Sequence, residues 1–164
     1  MGIFEIFKKK DVAYDEVKIK LNKIFTIKNK YTNFGDETGC GESVGLYPEN
    51  VFEKTQVGFR VDTKGYKIKQ WIGDQYYIVG GYGQLGDVLV TDLSNDNFPI
   101  YALEHDNWKN IQKISNSVED FSKIISLINK TNINDVDEYN KLKDDIQKII
   151  TCDFWDIQIN SAKD

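Results

Sequence analysis

Short apolar runs separated by short polar turns constrain this chain most, because they fill the middle of the sequence. Runs rich in β-branched and aromatic residues are typical of strands. We expect strands at Val57–Asp62, Tyr66–Ile72, Tyr76–Gly80, Val88–Leu93 and Pro99–Glu104. The connections between them are shorter than the roughly dozen residues that a parallel crossover needs. The sequence therefore predicts an antiparallel sheet in which strands adjacent in sequence pair with each other.

Helical patterns lie on both sides of the strand region. Between Asp11 and Phe25, apolar residues recur on one helical face. Ser117, with Asp120 three residues on, and Asp135, with Glu138, have the spacing of helix caps. The side chains predicted to face inward are Val17, Leu21, Ile24 and Phe25 in the first helix, Val118, Phe121, Ile125 and Ile128 in the second, and Val136, Tyr139, Leu142, Ile146 and Ile149 in the third.

Two segments are assigned more loosely. The Gly-rich stretch from Asn33 to Asn50 is expected to be a connection. The apolar residues from Phe154 to Ile159 are expected to form an edge strand or to pack over the core. Strands followed by helices indicate an α+β fold, with a mostly antiparallel central sheet of about five to six strands and helices packed on it.

The turn from Gly81 to Gly86 matches a nucleotide-binding pattern, but its context does not fit one. Gly81-Tyr82-Gly83-Gln84-Leu85-Gly86 reads G-x-G-x-x-G, yet a β-type run rather than a helix follows it. A dinucleotide site needs a helix N-terminus at the glycines to hold the pyrophosphate. The kinase pattern also fits as a string, but the next strand lacks the required lysine. We therefore interpret the glycines as the turn of a hairpin.

The charge of the chain is unevenly distributed. Residues 1–82 hold 13 Lys and Arg against 11 Asp and Glu, a net charge of +2, whereas residues 83–164 hold 8 against 15, a net charge of −7. A net charge of −5 for the whole chain disfavours binding to nucleic acid. The acidic half is expected to be either a solubilising surface or a patch that faces a basic partner.

Cofactor, metal and membrane sites are not indicated. The single His and two distant Cys lack the paired spacings of a zinc site, and Asp92 to Asn97 begins like a calcium loop but lacks its Gly and Glu. No cofactor is expected. The separation of Cys40 and Cys152 neither requires nor excludes a disulfide, and two reduced thiols in a cytosol are the default expectation. The sequence shows no signal peptide and no membrane helix, so we expect a cytoplasmic protein. Whether it forms a homodimer stays open.

Three segments in the acidic half resemble the SUKH superfamily, which contains the yeast Smi/Knr cell-wall-synthesis regulator and many bacterial immunity proteins. The matching segments are Gly86-Asp87-Val88-Leu89-Val90-Thr91-Asp92, Pro99-Ile100-Tyr101-Ala102-Leu103-Glu104-His105-Asp106 and Ile114-Ser115-Asn116-Ser117-Val118-Glu119-Asp120-Phe121. The resemblance implies one SUKH-like domain over residues 1–164, with its core at about 57–130. Residues 1–56 depart from the family pattern, and the helix at 135–151 is additional.

The resemblance implies a non-enzymatic immunity or antitoxin protein that binds and neutralises a cognate toxin, often a nuclease or another enzyme that acts on nucleic acid. An acidic surface would suit the basic cleft of such a toxin. Exposed aromatic residues beside acids are typical interface anchors. The candidate partner-binding residues are Tyr82, Gln84, Glu104, Asp106 and Trp108, of which Tyr82 and Trp108 are expected to be exposed. Gly83, Gly86 and Asp87 are interpreted as structural.

Two other functions are considered. A scaffold or regulatory interaction domain of the Smi/Knr kind would bind several partners weakly. A small hydrolase would be centred on Glu104, His105 and Asp106. If one strand continued through Glu104 and Asp106, their carboxylates would share a face about 7 Å apart, within the range of inverting glycosidases. No nucleophile motif accompanies His105, so no catalytic residue is assigned.

Overall fold

The computed structural model describes residues 14–33, 43–83 and 85–161. The described strands are β1 (Tyr31–Asn33), β2 (Ser43–Leu46), β3 (Tyr76–Tyr82), β4 (Asp87–Asp92), β5 (Ile100–Glu104) and β6 (Asn107–Ser115). The described α-helices are α1 (Tyr14–Thr26), α2 (Phe52–Thr55), α3 (Val118–Lys130), α4 (Val136–Ile149) and α5 (Phe154–Ser161), and a 3-10 helix (Glu49–Val51) precedes α2.

The six strands form one sheet whose spatial order is the chain order. Every neighbouring pair is antiparallel, from β1–β2 to β5–β6. This arrangement follows from the short connections, since an antiparallel pair needs only a tight turn whereas a parallel pair needs a crossover. The predicted α+β fold with an antiparallel central sheet and packed helices is thus confirmed. The three strands predicted from Tyr76 to Glu104 correspond to β3, β4 and β5.

The predicted strands at Val57–Asp62 and Tyr66–Ile72 are wrong. This part of the chain forms turns, with only isolated bridges from Val61 to Val57 and Lys67. Backbone N–H groups in this part bond to a nearby side chain instead of to a neighbouring strand. The Asp62 carboxylate accepts from the backbone N–H groups of Lys64 (2.8 Å) and Tyr66 (2.9 Å). A short acidic side chain of this kind competes with a strand ladder for backbone donors.

Other assignments also need correction. The predicted connection from Asn33 to Asn50 contains β2 and the start of the 3-10 helix, while residues 34–42 lie outside the described part. The long strand β6 was not predicted, because its sequence is mostly polar, as suits the edge of a sheet. Of the two alternatives for Phe154 to Ile159, the edge strand is wrong because residues 154–161 form α5, whereas packing over the core is confirmed. Their buried side chains Trp155 and Ile159 are four residues apart, which places them on one helical face.

The helices cover one face of the sheet, which we call the helix-covered face. Leu89, Ile100 and Ala102 of the sheet lie in the same buried cluster as the apolar stripes of α1, α3 and α4. The predicted stripe of α3 is fully buried, as are Leu21 and Ile24 of α1. Val136 is the exception: it is 68% exposed, although it was expected to face inward, because it begins α4 beyond the edge of the core.

Both predicted helix caps are confirmed. The Asp120 backbone N–H donates to Ser117 Oγ at 3.0 Å. The Asp135 carboxylate accepts from the N–H groups of Asp137 and Glu138, both at 3.0 Å. Each cap satisfies donors that the first turn of a helix leaves unpaired and contributes about 1 kcal/mol.

The opposite face of the sheet, the second face, is covered by the turns of residues 57–75 instead of by helices. A smaller buried cluster lies here, formed by Ile78, Val88, Val90 and Leu103. Half-buried aromatic and aliphatic side chains pack around it, namely Tyr47, Phe59, Trp71, Ile72, Tyr76, Tyr101, Trp108 and Ile111. The sheet therefore has a thick hydrophobic layer on one side and a thinner, aromatic one on the other.

The fully buried Gln56 side chain takes the place of a strand beside β3. Strand β2 pairs with β3 only at Gly80–Tyr82, so Ile78 has no strand partner on that side. Gln56 Nε2 donates to the Ile78 carbonyl at 2.8 Å, and the Ile78 N–H donates to Gln56 Oε1 at 3.2 Å. The amide thus reproduces both hydrogen bonds that a neighbouring strand would make, and it anchors residues 57–75 to the sheet.

Candidate functional site

Two hairpin turns lie side by side at one end of the sheet. Gly83 (φ +64°) and Gly86 (φ +87°) belong to the β3–β4 turn, and these positive φ angles favour glycine. His105 and Asp106 form the β5–β6 turn. We call the residues at this end, Tyr82, Asp87, Glu104, His105 and Asp106, the tip surface. The prediction that the Gly-rich segment forms the turn of a hairpin is confirmed, because Tyr82 of β3 pairs with Asp87 of β4 across it.

Asp87 ties the two turns together. Its Oδ1 accepts from the backbone N–H of His105 at 2.9 Å and from His105 Nδ1 at 2.8 Å. The predicted structural role of Asp87 fits these contacts, although its partner could not be read from the sequence, where the two residues are 18 positions apart. A His oriented by an Asp also occurs in hydrolytic triads. No described Ser, Thr or Cys side chain is hydrogen-bonded to His105.

Hydrogen bonding to Asp87 raises the pKa of His105 above its ordinary value of 6.5. The imidazole is solvent-exposed, and slight desolvation opposes the shift. The negative charges of Asp106, Asp87 and Glu104 raise the His105 pKa further. The tip surface is therefore a region of negative potential that favours cations.

Tyr82 is half-buried and not exposed as expected. Its ring packs edge-on against Phe154 on the helix-covered face, with the ring centroids 5.1 Å apart. Burial raises the pKa of Tyr82 strongly, and the charges of Asp87 and Glu104 add to this effect. The phenol therefore stays neutral at physiological pH, and part of its ring belongs to the core.

Glu104 and Asp106 do not lie on one continuous strand. The chain reverses at His105-Asp106, and Glu104 pairs with Asn107 across the turn. The expectation of two carboxylates on one strand face is thus wrong. A register shift follows Leu103, and within it Asn110 Nδ2 donates to Glu104 Oε1 at 3.1 Å. Asp106 is exposed at the turn.

Trp108 packs on the second face and is half-buried, contrary to the expected exposure. Its ring meets Trp71 and Phe59 at centroid distances of 5.6 and 6.0 Å. Its Nε1 donates to the His105 carbonyl at 2.9 Å, which fixes the indole beside the tip surface. Of the five predicted partner-binding residues, four thus lie near the two turns, with Tyr82 and Trp108 on opposite faces. Gln84 lies outside the described residues.

The unique histidine allows a direct test of the Asp87–His105 contact. In Asp87→Asn, the amide oxygen can still accept the backbone N–H, but the negative charge is gone. We expect the His105 pKa to fall relative to the wild-type protein when the imidazole is titrated by NMR. The folded-state pKa of His105 is raised, so its contact stabilises the fold fully below the unfolded value near 6.5 and loses this contribution as pH rises through the folded pKa. Equal pKa values in the two proteins would contradict the contact.

Other site classes have no support in the described residues. No three His, Cys, Asp or Glu side chains of the described ranges cluster as metal ligands. No helix in the same ranges is both long and apolar enough to span a membrane. Cys152 is half-buried, and burial raises the pKa of its thiol. Cys40 lies outside the described part of the chain.

Comparisons of this chain with protein-family models, with curated proteins and with solved structures find no match.

Proposed function

We propose that this chain is a non-enzymatic binding protein of the immunity or antitoxin type, which neutralises a cognate protein toxin through the tip surface. The observation that carries the proposal is the geometry of this surface, where Asp87, Glu104 and Asp106 lie close together on two turns that the Asp87–His105 hydrogen bonds join. A toxin that acts on nucleic acid has a basic cleft shaped for phosphates. Carboxylates presented on two linked turns would enter such a cleft and repel nucleic acid itself.

The fixed arrangement of the two turns supports this function. The Asp87–His105 contact holds the two turns in register, so their carboxylates are positioned before a partner arrives. A binding surface that is already ordered loses less conformational entropy on association, and this favours high affinity. Trp108 can add an aromatic contact beside the acids, since part of its indole stays exposed next to the His105 carbonyl.

The first experiment identifies the partner. The purified chain is used as bait against lysate and against the products of neighbouring reading frames, and affinity is then measured at two salt concentrations. One partner of nanomolar affinity whose binding weakens with salt supports the toxin proposal, since a charged interface is screened by ions. Several micromolar partners would instead support a scaffold or regulatory domain and overturn the toxin proposal.

Charge reversal then tests the surface. In Glu104→Lys/Asp106→Lys, we expect the association rate with that partner to fall by about tenfold or more at low salt, because electrostatic steering is lost. Stopped-flow association over a range of salt concentrations measures both the rate and its salt dependence. The matched control is Asp137→Lys/Asp144→Lys, which makes the same change of charge on exposed positions of α4. Equal rates for the two double variants would show that the tip surface is not the binding site.

A further inference from the structure

The strand β6 forms one edge of the sheet and is the longest strand described. It pairs with β5 on one side, and no described strand lies on its other side. The opposite edge, β1, has only three described residues. An unpaired edge presents backbone N–H and C=O groups that can pair with an added strand.

A groove runs beside this edge on the helix-covered face. It has a volume of about 700 Å³ and lies between β6 and the segment that joins α4 to α5. Gln112, Lys113 and Asn116 line the β6 side, and the other side is lined by Ile149, Ile150 and Cys152 together with the charged residues Lys148 and Asp153. The Asn116 side chain bridges the two walls by donating to the Ile149 carbonyl at 3.1 Å. Amide and small apolar side chains of this kind can receive the side chains of an extended peptide.

Exposed lysines lie along the same edge. Lys113 pairs with Tyr101 and Ile111 pairs with Leu103, and both partners lie in the cluster of the second face. Lys109 lies inside the register shift between Asn107 and Ile111, and both lysines are exposed. No described acidic side chain forms an ion pair with Lys109 or Lys113. The edge therefore offers two free cations that flank a half-buried isoleucine.

We propose that the β6 edge binds an acidic, extended segment of another protein by strand addition. Side chains of an added strand point alternately to the two faces. On the second face, a carboxylate would meet Lys113, an apolar residue two positions away would lie over Ile111, and a further carboxylate would be near Lys109 at the register shift. On the other face, the intervening side chains would enter the groove beside Gln112.

The two lysines also disfavour a second copy of this chain as the strand that binds to the β6 edge. Two β6 strands paired antiparallel would bring Lys109 and Lys113 of both copies into one strand pair. Like charges directly opposite each other destabilise a strand pair. An acidic strand meets the same lysines favourably. This surface adjoins the tip surface at Trp108 but does not include the carboxylates of the tip, and its partner need not be the toxin.

The test uses the capped peptide Thr-Glu-Thr-Val-Thr-Glu-Thr with the full chain. We expect NMR shift changes in amides of β6 and of residues 147–153, and weaker binding when the two glutamates are replaced by lysines. A peptide N-methylated at alternate amides should not bind, because the ladder hydrogen bonds are lost. Shift changes elsewhere, equal binding of the lysine peptide, or no binding at millimolar concentration would overturn the proposal.

Variants of the chain make the test specific. In Lys109→Glu/Lys113→Glu, we expect affinity for the glutamate peptide to fall by about tenfold or more, since two attractive pairs become repulsive. The control Lys130→Glu/Lys141→Glu makes the same change of charge at exposed positions of α3 and α4 and should leave affinity unchanged. Sedimentation of the wild-type chain provides a further check, because self-association that the Lys109→Glu/Lys113→Glu variant alters would point to a second copy as the occupant and overturn the proposal.

Discussion

Replacing Gln56 with Leu is expected to destabilise the fold by about 3 kcal/mol, although the two side chains are similar in size. Gln56 is fully buried, and its amide is hydrogen-bonded to the N–H and the carbonyl of Ile78 and to the Phe52 carbonyl (3.1 Å). Leucine leaves the N–H and the carbonyl of Ile78 without partners in a place that water does not reach, whereas the Phe52 carbonyl keeps its hydrogen bond from Thr55 Oγ1. A buried donor or acceptor that loses its partner costs about 1–3 kcal/mol.

Urea denaturation followed by far-UV circular dichroism measures this loss. The matched control is Gln70→Leu, the same substitution at an exposed position in the neighbouring turns, for which we expect a change within about 0.5 kcal/mol. Hydrogen exchange adds a local readout, because the Ile78 amide should exchange faster in Gln56→Leu. A stability loss as small as that of the control would contradict the strand-like role of Gln56.

Replacing Trp155 with Phe is expected to cost about 2–3 kcal/mol. Trp155 is fully buried on the helix-covered face, where its ring packs against Phe121 and Phe154 at centroid distances of 5.8 and 5.1 Å. Its Nε1 donates to the Ile114 carbonyl at 2.8 Å. Phenylalanine removes this donor and leaves part of the indole volume empty, so both packing and hydrogen bonding are lost.

The natural control is Trp71→Phe. Trp71 also donates its Nε1 hydrogen to a backbone carbonyl, that of Tyr76, at 3.1 Å, but it is only half-buried. Water can replace the lost donor there, so we expect Trp71→Phe to cost less than about 1 kcal/mol. Circular dichroism in urea compares the two variants without relying on tryptophan fluorescence. Equal losses of stability in the two variants would show that burial does not determine the cost of removing the indole.

The sequence predicted those parts of the fold whose local signals agree with their packing. Strands β3 to β5 combine β-branched residues with short turns, and the caps Ser117 and Asp135 begin helices with clear apolar stripes. Sequence patterns did not predict the structure where hydrogen-bonding partners are distant in sequence or where a segment is mostly polar. Residues 57–72 have the composition of strands, but Asp62 draws their backbone donors into turns. The edge strand β6 is too polar to show an apolar alternation.

The candidate site was predictable in part. Glu104 and Asp106 could be selected because acids cluster beside aromatic residues in sequence. The side on which each aromatic ring packs could not be predicted, since Trp108 lies within the register shift between Asn107 and Ile111, where alternation along the strand does not set the face. The contact between Asp87 and His105 joins two separate hairpins. No periodic pattern in one sequence reports such a pairing, because it depends on how the hairpins align.

The chain-order sheet has a consequence for how the protein folds. All strand pairings join neighbours along the chain, which keeps contact order within the sheet low, and low contact order favours rapid folding. During synthesis each hairpin can close soon after its second strand emerges. Helix α5 follows all six strands, yet its Trp155 packs against α3 and bonds β6. A nascent chain therefore exposes part of the helix-covered face until α5 docks, and this late step is where we expect aggregation to compete with folding.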